Sequence, residues 1–217
     1  LKALEHIQTA LFGQNKGPFY TYSPVPWTLE VRKEVFTPTE QIENPAVLNL
    51  IFAQVVMDVF ATACLRIRKE DRLKMRSTLE HHGISPRNVL DKHREQTKRF
   101  IVDSARDWPF YFSRLYPVNG GKKMPNVHML AIGHSGVRLL TRQRDVASDT
   151  LTVQDLYDYD DIIDISVPRK GALQIHVNGR YVIVYTPRAP EARQLIEAFC
   201  IESERDVMYV KATRNYR

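Results

Sequence analysis

The stretch DLYDYDDIIDIS, residues 155–166, places five aspartates within ten residues and is the first candidate for chemistry. A calcium-binding EF-hand loop needs oxygen ligands at fixed offsets, a glycine at position six and a glutamate at position twelve. A loop starting at Asp155 has Asp160 at the sixth position and Ser166 at the twelfth, and one starting at Asp158 fits no better. Tyrosines and isoleucines alternate with the acids. The pattern therefore predicts a structural corner between two strands, not a metal or acid–base site.

A second candidate is the run GHSG at residues 133–136, because a histidine beside a serine suggests a hydrolase. The nucleophile elbow, however, has the pattern G-x-S-x-G on a strand-to-helix turn, whereas this run lies between two predicted strands. Adjacent side chains on a tight turn diverge, so His134 is poorly placed as a base for Ser135. None of the seven histidines pairs with a cysteine at zinc spacing, and no glycine-rich phosphate loop is present. We expect no enzyme activity, metal or cofactor in this chain.

The composition is that of a globular protein, with 43% hydrophobic and 26% charged residues among 217. The net charge of +6 makes an anionic membrane surface, a nucleic acid or an acidic protein possible partners. Cys64 and Cys200 lie in apolar runs, which favours buried, reduced thiols. We see no signal peptide, and polar residues interrupt the longest apolar run, residues 46–65. These features predict a cytosolic protein.

The elements that must position any site begin with an alternating strand, Trp27–Phe36, followed by a helical lobe. The spacing of apolar residues predicts three helices, from Pro45 to near Cys64, from Lys69 to His82, and from about Asp91 to Asp107. Asn44 is the predicted N-cap of the first helix, and Gly83 is the predicted terminator of the second. Residues 40–115 are therefore expected to be all-helical.

The run PVNGGKKMPN, residues 117–126, predicts a boundary, and the pattern after it becomes β. Alternating runs at residues 127–134, 137–142, 151–157 and 162–168 are succeeded by a hairpin around Asn178-Gly179, which is a strong turn signal. One amphipathic helix, Pro190–Ile201, closes the segment. Six or seven antiparallel strands capped by a C-terminal helix indicate a pleckstrin-homology-like β-sandwich or barrel. The predicted fold class is α+β, with the helical lobe first.

A basic run, RIRKEDRLKMR at residues 66–76, lies on the second predicted helix. At helical spacing Arg68, Arg72 and Arg76 share a face, with Lys69 beside it. A solvated helix face is the ordinary interpretation, and contact with an acidic phospholipid or an acidic protein is the alternative. Nucleic acid is not expected as a partner, because no aromatic residues interleave for base stacking and no known reader motif appears.

Several segments resemble the FERM domains of myosin tails. The runs WTLEVRKEVFTP and NPAVLNLIFAQVVMDVF resemble the opening of their second lobe, and ARDWPFYFSRLYPV resembles the link to the third. The segment that begins with VHMLAIGHSGVRLL and extends to Ser203 resembles the third, pleckstrin-homology-like lobe. The final YVKATRNYR is similar to the first strand of a Src-homology-3 domain. The spacing RKEVF…LRI…R…MR is most similar to class XV unconventional myosins, with class VII next.

The resemblance implies four parts: a partial first-lobe remnant and linker strand at 1–39, the second lobe at 40–116, the third lobe at 117–204, and a truncated Src-homology-3 domain at 205–217. It implies a non-catalytic module that binds cargo or scaffold proteins in the tail of an actin-based motor. ATP and actin would be bound by a motor domain elsewhere. It also implies a place in the cytoskeleton of actin-based protrusions, such as the stereocilia of hearing. The alternative is a structural spacer that only positions neighbouring tail domains.

In such a third lobe, the acidic stretch would lead to an open sheet edge at Ile162–Pro168. An extended peptide would pair with that edge, and the helix Pro190–Ile201 would form the other wall of the groove. Ile163, Ile165 and Val167 would face one side of the strand, and Ile162, Asp164 and Ser166 the other. The helical wall would include Gln194, Glu197 and Ala198. The alternative is an edge merely protected by charge and Pro168.

Overall fold

The computed structural model describes residues 31–61, 63–144 and 149–214, with side chains given for these except Arg144 and 205–214. Contacts divide the chain into two compact units, Leu1–Val31 and Arg32–Arg217. All the described helices and strands belong to the second unit.

The predicted helical lobe contains three helices: α1 Pro45–Phe60, α2 Lys69–His81 and α3 Glu95–Arg106. The predicted N-cap is confirmed, since Asn44 Oδ1 accepts a hydrogen bond from the main-chain N–H of Ala46 at 2.8 Å. The predicted stop after α2 is also confirmed, since Gly83 has a φ of +65°. Helix α1 ends four residues before Cys64, and α3 begins four residues after Asp91, so both are shorter than predicted.

The helical lobe has its own hydrophobic core. Phe36, from the segment before α1, is fully buried in it and meets the ring of Phe112 edge-on, with centroids 4.7 Å apart. The other buried members are Leu48, Ile51, Phe52, Val55, Val56, Val59, Ile67, Met75, Leu79, Ile84, Val89, Ile101, Val102, Ala105, Trp108 and Tyr111. This core holds the three helices together through apolar burial.

In the described part of the chain, seven strands form two antiparallel sheets. One sheet has the order β1 Ser113–Pro117, β2 Met129–Gly133, β3 Gly136–Arg144 and β4 Asp149–Tyr157. The other has the order β5 Ile162–Arg169, β6 Ala172–Val177 and β7 Arg180–Tyr185. Strand β1 was missed by the sequence analysis, because it is short, contains a serine and an arginine, and ends in a proline. The sheet thus begins at Ser113, within the stretch interpreted as a helical link.

The two sheets share a core with the final helix, α4 Ala189–Arg214. Buried residues from β2 and β3 meet those of β6 and β7, and Ala192, Ile196 and Phe199 of α4 close one end. This is the predicted pleckstrin-homology-like arrangement, and it confirms the α+β fold class. The predicted hairpin is also confirmed, because Asn178 and Gly179 have φ values of +48° and +76°.

Two further elements differ from the predictions. Over residues 31–36 no strand forms, because the main chain of Lys33 is bonded to a side chain instead. Gln54 of α1 accepts from the Lys33 N–H at 2.7 Å and donates to its carbonyl at 3.0 Å. At the other end, α4 runs to Arg214, so the strand predicted for the start of a Src-homology-3 domain is absent from residues 209–214. No glycine or proline comes after Pro190 to end that helix.

Candidate functional site

Three of the five aspartates, Asp158, Asp160 and Asp161, lie at the predicted corner between the two sheets, whereas Asp155 lies in β4 and Asp164 in β5. A short 3-10 helix, Tyr159–Asp161, joins β4 to β5. Tyr159 is buried there, and its hydroxyl donates to the carbonyl of Gly133 at 2.5 Å. Burial raises the pKa of this phenol, so it stays a donor. In the described part of the chain, no three His, Cys, Asp or Glu side chains are grouped so as to hold a metal ion.

The GHSG run forms the hairpin turn between β2 and β3, as predicted, with Gly136 at a φ of +114°. Ser135 Oγ accepts a hydrogen bond from the Nη2 of Arg138 at 3.1 Å. His134 Nδ1 is buried and has no hydrogen-bond partner. Burial lowers the pKa of His134, and the positive charges of Arg106 and Arg138 lower it further. The hydroxyl of Ser135 is therefore engaged by an arginine, not by His134 acting as a base.

Strand β5 is one edge of its sheet, because it pairs with β6 and with no other described strand, and β7 is the other edge. A strand in this position offers unpaired N–H and C=O groups to an incoming chain. Helix α4 packs against β5 and against the 3-10 helix, which brings the predicted strand and the predicted helical wall together. Ile162, Val167, Leu195 and Cys200 are partly buried on the common core.

The predicted alternation along β5 is interrupted at two places, between Ile162 and Asp164 and between Ser166 and Arg169. The register with β6 shifts between Ile162 and Asp164, so Ile163 is an extra residue in the strand. Its side chain is 65% exposed, whereas that of Ile165 is 7% exposed, and the two do not share an environment. Asp164 is exposed, and Ser166 and Val167 are partly buried. The bulge therefore presents an isoleucine and an aspartate side by side at the open edge.

The helical wall is only partly as expected. Gln194 and Ala198 are exposed on α4, one turn apart. Ile201 continues this row and is 51% exposed. Glu197, by contrast, forms an ion pair with Arg193 at 2.7 Å along the helix surface. Sequence reasoning did not select Ile201, although its spacing from Gln194 and Ala198 was readable.

The predicted basic face does not present its cations as one outward cluster. Arg72 donates to the main-chain carbonyls of Asp58 and Val59 at the end of α1, and to those of Ala61 and Cys64 in the loop that follows. Arg76 donates to the carbonyl of Phe60 at 3.3 Å, and its guanidinium lies 5.1 Å from the centre of that ring. Both side chains therefore cap the C-terminus of α1, where cations are favoured by the helix dipole.

The other two members of the basic face remain at the surface. Arg68 forms a bidentate ion pair with Asp71, with contacts at 2.7 and 3.1 Å. Lys69 is exposed at the first residue of α2. Helical spacing grouped the four cations, but spacing alone did not show that Arg72 and Arg76 turn toward the preceding helix.

A contact that no motif predicted joins the segment before α1 to the last part of α4. Glu202 accepts hydrogen bonds from the Thr37 hydroxyl at 2.8 Å, from the Thr39 N–H at 3.2 Å and from the Thr39 hydroxyl. Thr37 and Glu202 are 165 residues apart in the sequence, so no local signal marks the pair.

Comparison with known proteins finds sequence similarity along most of this chain. Residues 34–112 match the family described as the unconventional myosin-XV-like domain. Over 215 residues, 98% of this chain, 34% of positions are identical to human unconventional myosin-XV. This similarity extends over almost the whole of the chain. Human unconventional myosin-XVB is 30% identical over 212 residues, 97% of this chain.

The chain spans 6% and 7% of the lengths of those two relatives. The resemblance to class XV myosins inferred from the sequence is thereby confirmed. The Src-homology-3 part of that inference is not, and the four-part division of the chain stays a prediction. In the described residues, no helix is both long and apolar enough to cross a membrane.

Solved structures of myosin VII tails show a weaker similarity. The MyTH4-FERM MF2 domain of Dictyostelium discoideum myosin VII, mutant 1, is 13% identical with a TM-score of 0.42, covering 78% of this chain and 35% of that one. The C-terminal MyTH4-FERM domain of human myosin 7b, solved in complex with the harmonin-a PDZ3 domain, is 15% identical with a TM-score of 0.34, covering 71% and 33%. We draw no functional conclusion from scores this low.

Proposed function

We propose that this chain is a non-catalytic module of an unconventional myosin tail that binds a cargo or scaffold protein through the open edge of β5. The observation that carries the proposal is the position of β5, which pairs on one side with β6 and has α4 packed beside it. An extended peptide that joins this edge would gain main-chain hydrogen bonds from the strand and side-chain contacts from the helix.

The charges at this edge favour a basic peptide. Asp158, Asp160 and Asp164 are all exposed at the corner and the start of β5. Exposed Ile163 and Ile201 supply apolar contact area on the strand and on the helix. A partner segment that combines lysine or arginine with one apolar side chain would complement this surface, since charge complementarity mainly sets specificity and association rate.

In the whole protein, ATP and actin would be bound by the motor domain, and this module would act within the cytoskeleton of actin-based protrusions. Sequence similarity to unconventional myosins supports that setting. The side chains add no support for the predicted contact with acidic phospholipid, because Arg72 and Arg76 are bonded to main-chain carbonyls.

The test is a selection of phage-displayed random peptides on the immobilised chain. The selected peptides are then synthesised, and their affinities for the chain are measured. The groove variant carries Asp164→Lys and Ser166→Lys. The matched control carries Glu80→Lys and Ser77→Lys, two positions on α2 with the same change of charge. Circular dichroism first establishes that both variants fold.

We expect the selected peptides to be basic, to bind the control as they bind the wild type, and to bind the groove variant at least about tenfold more weakly, which is about 1.4 kcal/mol. Peptides that bind the groove variant equally well would move the site to the helical lobe. If no peptide is selected, the spacer function is favoured instead.

A further inference from the structure

The segment before α1 touches both lobes and ends in a tight turn. Glu34 pairs with Arg66 of the helical lobe at 3.5 Å and with Arg114 of β1 at 2.8 Å. Phe36 is buried in the helical core, and Val35 packs against the core of the sheets. Residues 33–40 therefore form a linking segment between the lobes. The last contact of this linking segment is the group of hydrogen bonds from its turn to Glu202 on α4.

The turn itself has the sequence Thr37-Pro38-Thr39-Glu40. The Glu40 N–H donates to the Thr37 carbonyl at 3.3 Å, which closes a β-turn with proline at its second position. Thr39 is exposed, and Thr37 and Pro38 are partly exposed. A cavity of about 360 Å³ lies beside Pro38 and is lined also by His134, Asp160 and Ser203. The turn is thus at the surface and has open space at its flank.

We propose that Thr37 is a phosphorylation site for a proline-directed protein kinase, and that its phosphorylation releases the linking segment from α4. Such kinases require a proline directly after the modified serine or threonine. In the reaction, a bond forms between Thr37 Oγ1 and the γ-phosphorus of ATP, while the bond from that phosphorus to the β–γ bridging oxygen breaks. ADP leaves with the electron pair, and the hydroxyl proton passes to the catalytic base of the kinase.

The physical consequence depends on the bonds to Glu202. The Thr37 hydroxyl donates to Glu202 at 2.8 Å, and a phosphate in its place has lost that proton. The phosphate also brings a charge of about −1.5 to −2 next to a carboxylate, which is repulsive.

The sequence contains three other Ser-Pro or Thr-Pro pairs, beginning at Ser23, Ser85 and Thr186. Thr186 is 3% exposed, and its hydroxyl oxygen accepts from the Arg188 N–H at 3.3 Å, so a kinase has little access to it. Ser85 bonds to Asn88 within its own loop and joins no two lobes. Ser85 is therefore an internal control with the same motif and no link to α4.

The experiment uses the full 217-residue chain with Ser23→Ala, treated with a proline-directed kinase and ATP. Mass spectrometry maps the phosphates, and hydrogen exchange monitors the Thr39 amide, whose N–H bonds to Glu202. We expect phosphate on Thr37 and exchange of this amide about fivefold faster or more. In a parallel sample with Thr37→Ala, phosphorylation at Ser85 alone should leave the exchange rate of the Thr39 amide unchanged.

The decisive variant is Glu202→Gln, which keeps an acceptor but removes the charge. In the Glu202→Gln variant, phosphorylation of Thr37 should accelerate hydrogen exchange of the Thr39 amide by less than about twofold, because little electrostatic repulsion remains. The proposal is overturned if Ser85 is modified while Thr37 is not, if phosphorylated Thr37 leaves the exchange unchanged, or if Glu202→Gln responds as the parent does. None of these outcomes depends on a peptide at β5.

Discussion

The guanidinium of Arg72 donates to the main-chain carbonyl of Cys64 at 2.6 Å, and through its other terminal nitrogen reaches the carbonyls that end α1. The last carbonyls of a helix have no partner within it, so they need donors from elsewhere. One side chain of α2 thus supplies the cap of α1 and fixes the loop between the two helices. Arg72, which the sequence analysis placed on an exposed basic face, therefore stabilises the helical lobe.

Replacing Arg72 with alanine should lower the free energy of unfolding by about 2–4 kcal/mol, because several main-chain acceptors lose a charged donor. Arg72→Lys should recover only part of this, because one ammonium cannot reproduce the planar fork. Urea denaturation measures both. The control is Arg193→Ala, which breaks an exposed pair with Glu197 and should cost less than about 1 kcal/mol. Equal effects of the two alanine variants would contradict the capping role.

The aspartate-rich corner around Tyr159 should have a structural role and should bind no metal ion. Tyr159→Phe removes the hydroxyl that donates to Gly133 and should reduce stability by about 1–2 kcal/mol. Tyr181→Phe, at an exposed position, should have almost no effect. Neither calcium nor a chelator should shift the melting temperature of the wild type in calorimetry. A rise in melting temperature with calcium that Asp158→Asn and Asp160→Asn abolish would instead reveal a metal site.

Stability should fall as the solution becomes acidic, in part through His134. Its pKa is lowered in the folded chain by burial and by two arginines, whereas the unfolded chain titrates near pH 6.5. Below that pH the unfolded state binds a proton that the folded state does not. The contribution of His134 to the free energy of unfolding is therefore complete above pH 6.5 and is lost as the pH falls. Urea midpoints at pH 7.5 and 5.5 should therefore differ less for His134→Gln than for the wild type. An unchanged difference would assign the acid sensitivity to other groups.

The thiol of Cys200 should be unreactive in the folded protein. Burial, with a further contribution from Glu204, raises its pKa to about 11, and burial also raises the pKa of Cys64. At pH 8 the thiolate of Cys200 should be about a hundredfold scarcer than for a free cysteine. Iodoacetamide labelling, read out by mass spectrometry, should be slow for the folded chain and rapid in urea. Rapid labelling of Cys200 in the folded chain would mean that the thiol is not shielded.

Much of the fold was predictable because it depends on neighbours in the sequence. Asn44 before Pro45 sets the start of α1, and Asn178-Gly179 sets the turn between β6 and β7, since each requirement is met within a few residues. The class XV resemblance and the pleckstrin-homology-like order also came from the sequence. Strand β1 did not, because its pairing with β2 and not its own propensity makes it a strand.

The candidate site, like the fold, could be predicted from the sequence only in part. The alternation of β5 was readable, but the bulge at Ile163 depends on the register with β6. The spacing of Arg68, Arg72 and Arg76 was readable, but the direction of each guanidinium depends on which carbonyls lie within its reach. The contact between Thr37 and Glu202 joins residues at opposite ends of the described chain. By itself the sequence determined the local elements and the family resemblance, whereas the tertiary structure decided which charges remain free, because only folding brings distant donors and acceptors within hydrogen-bond distance.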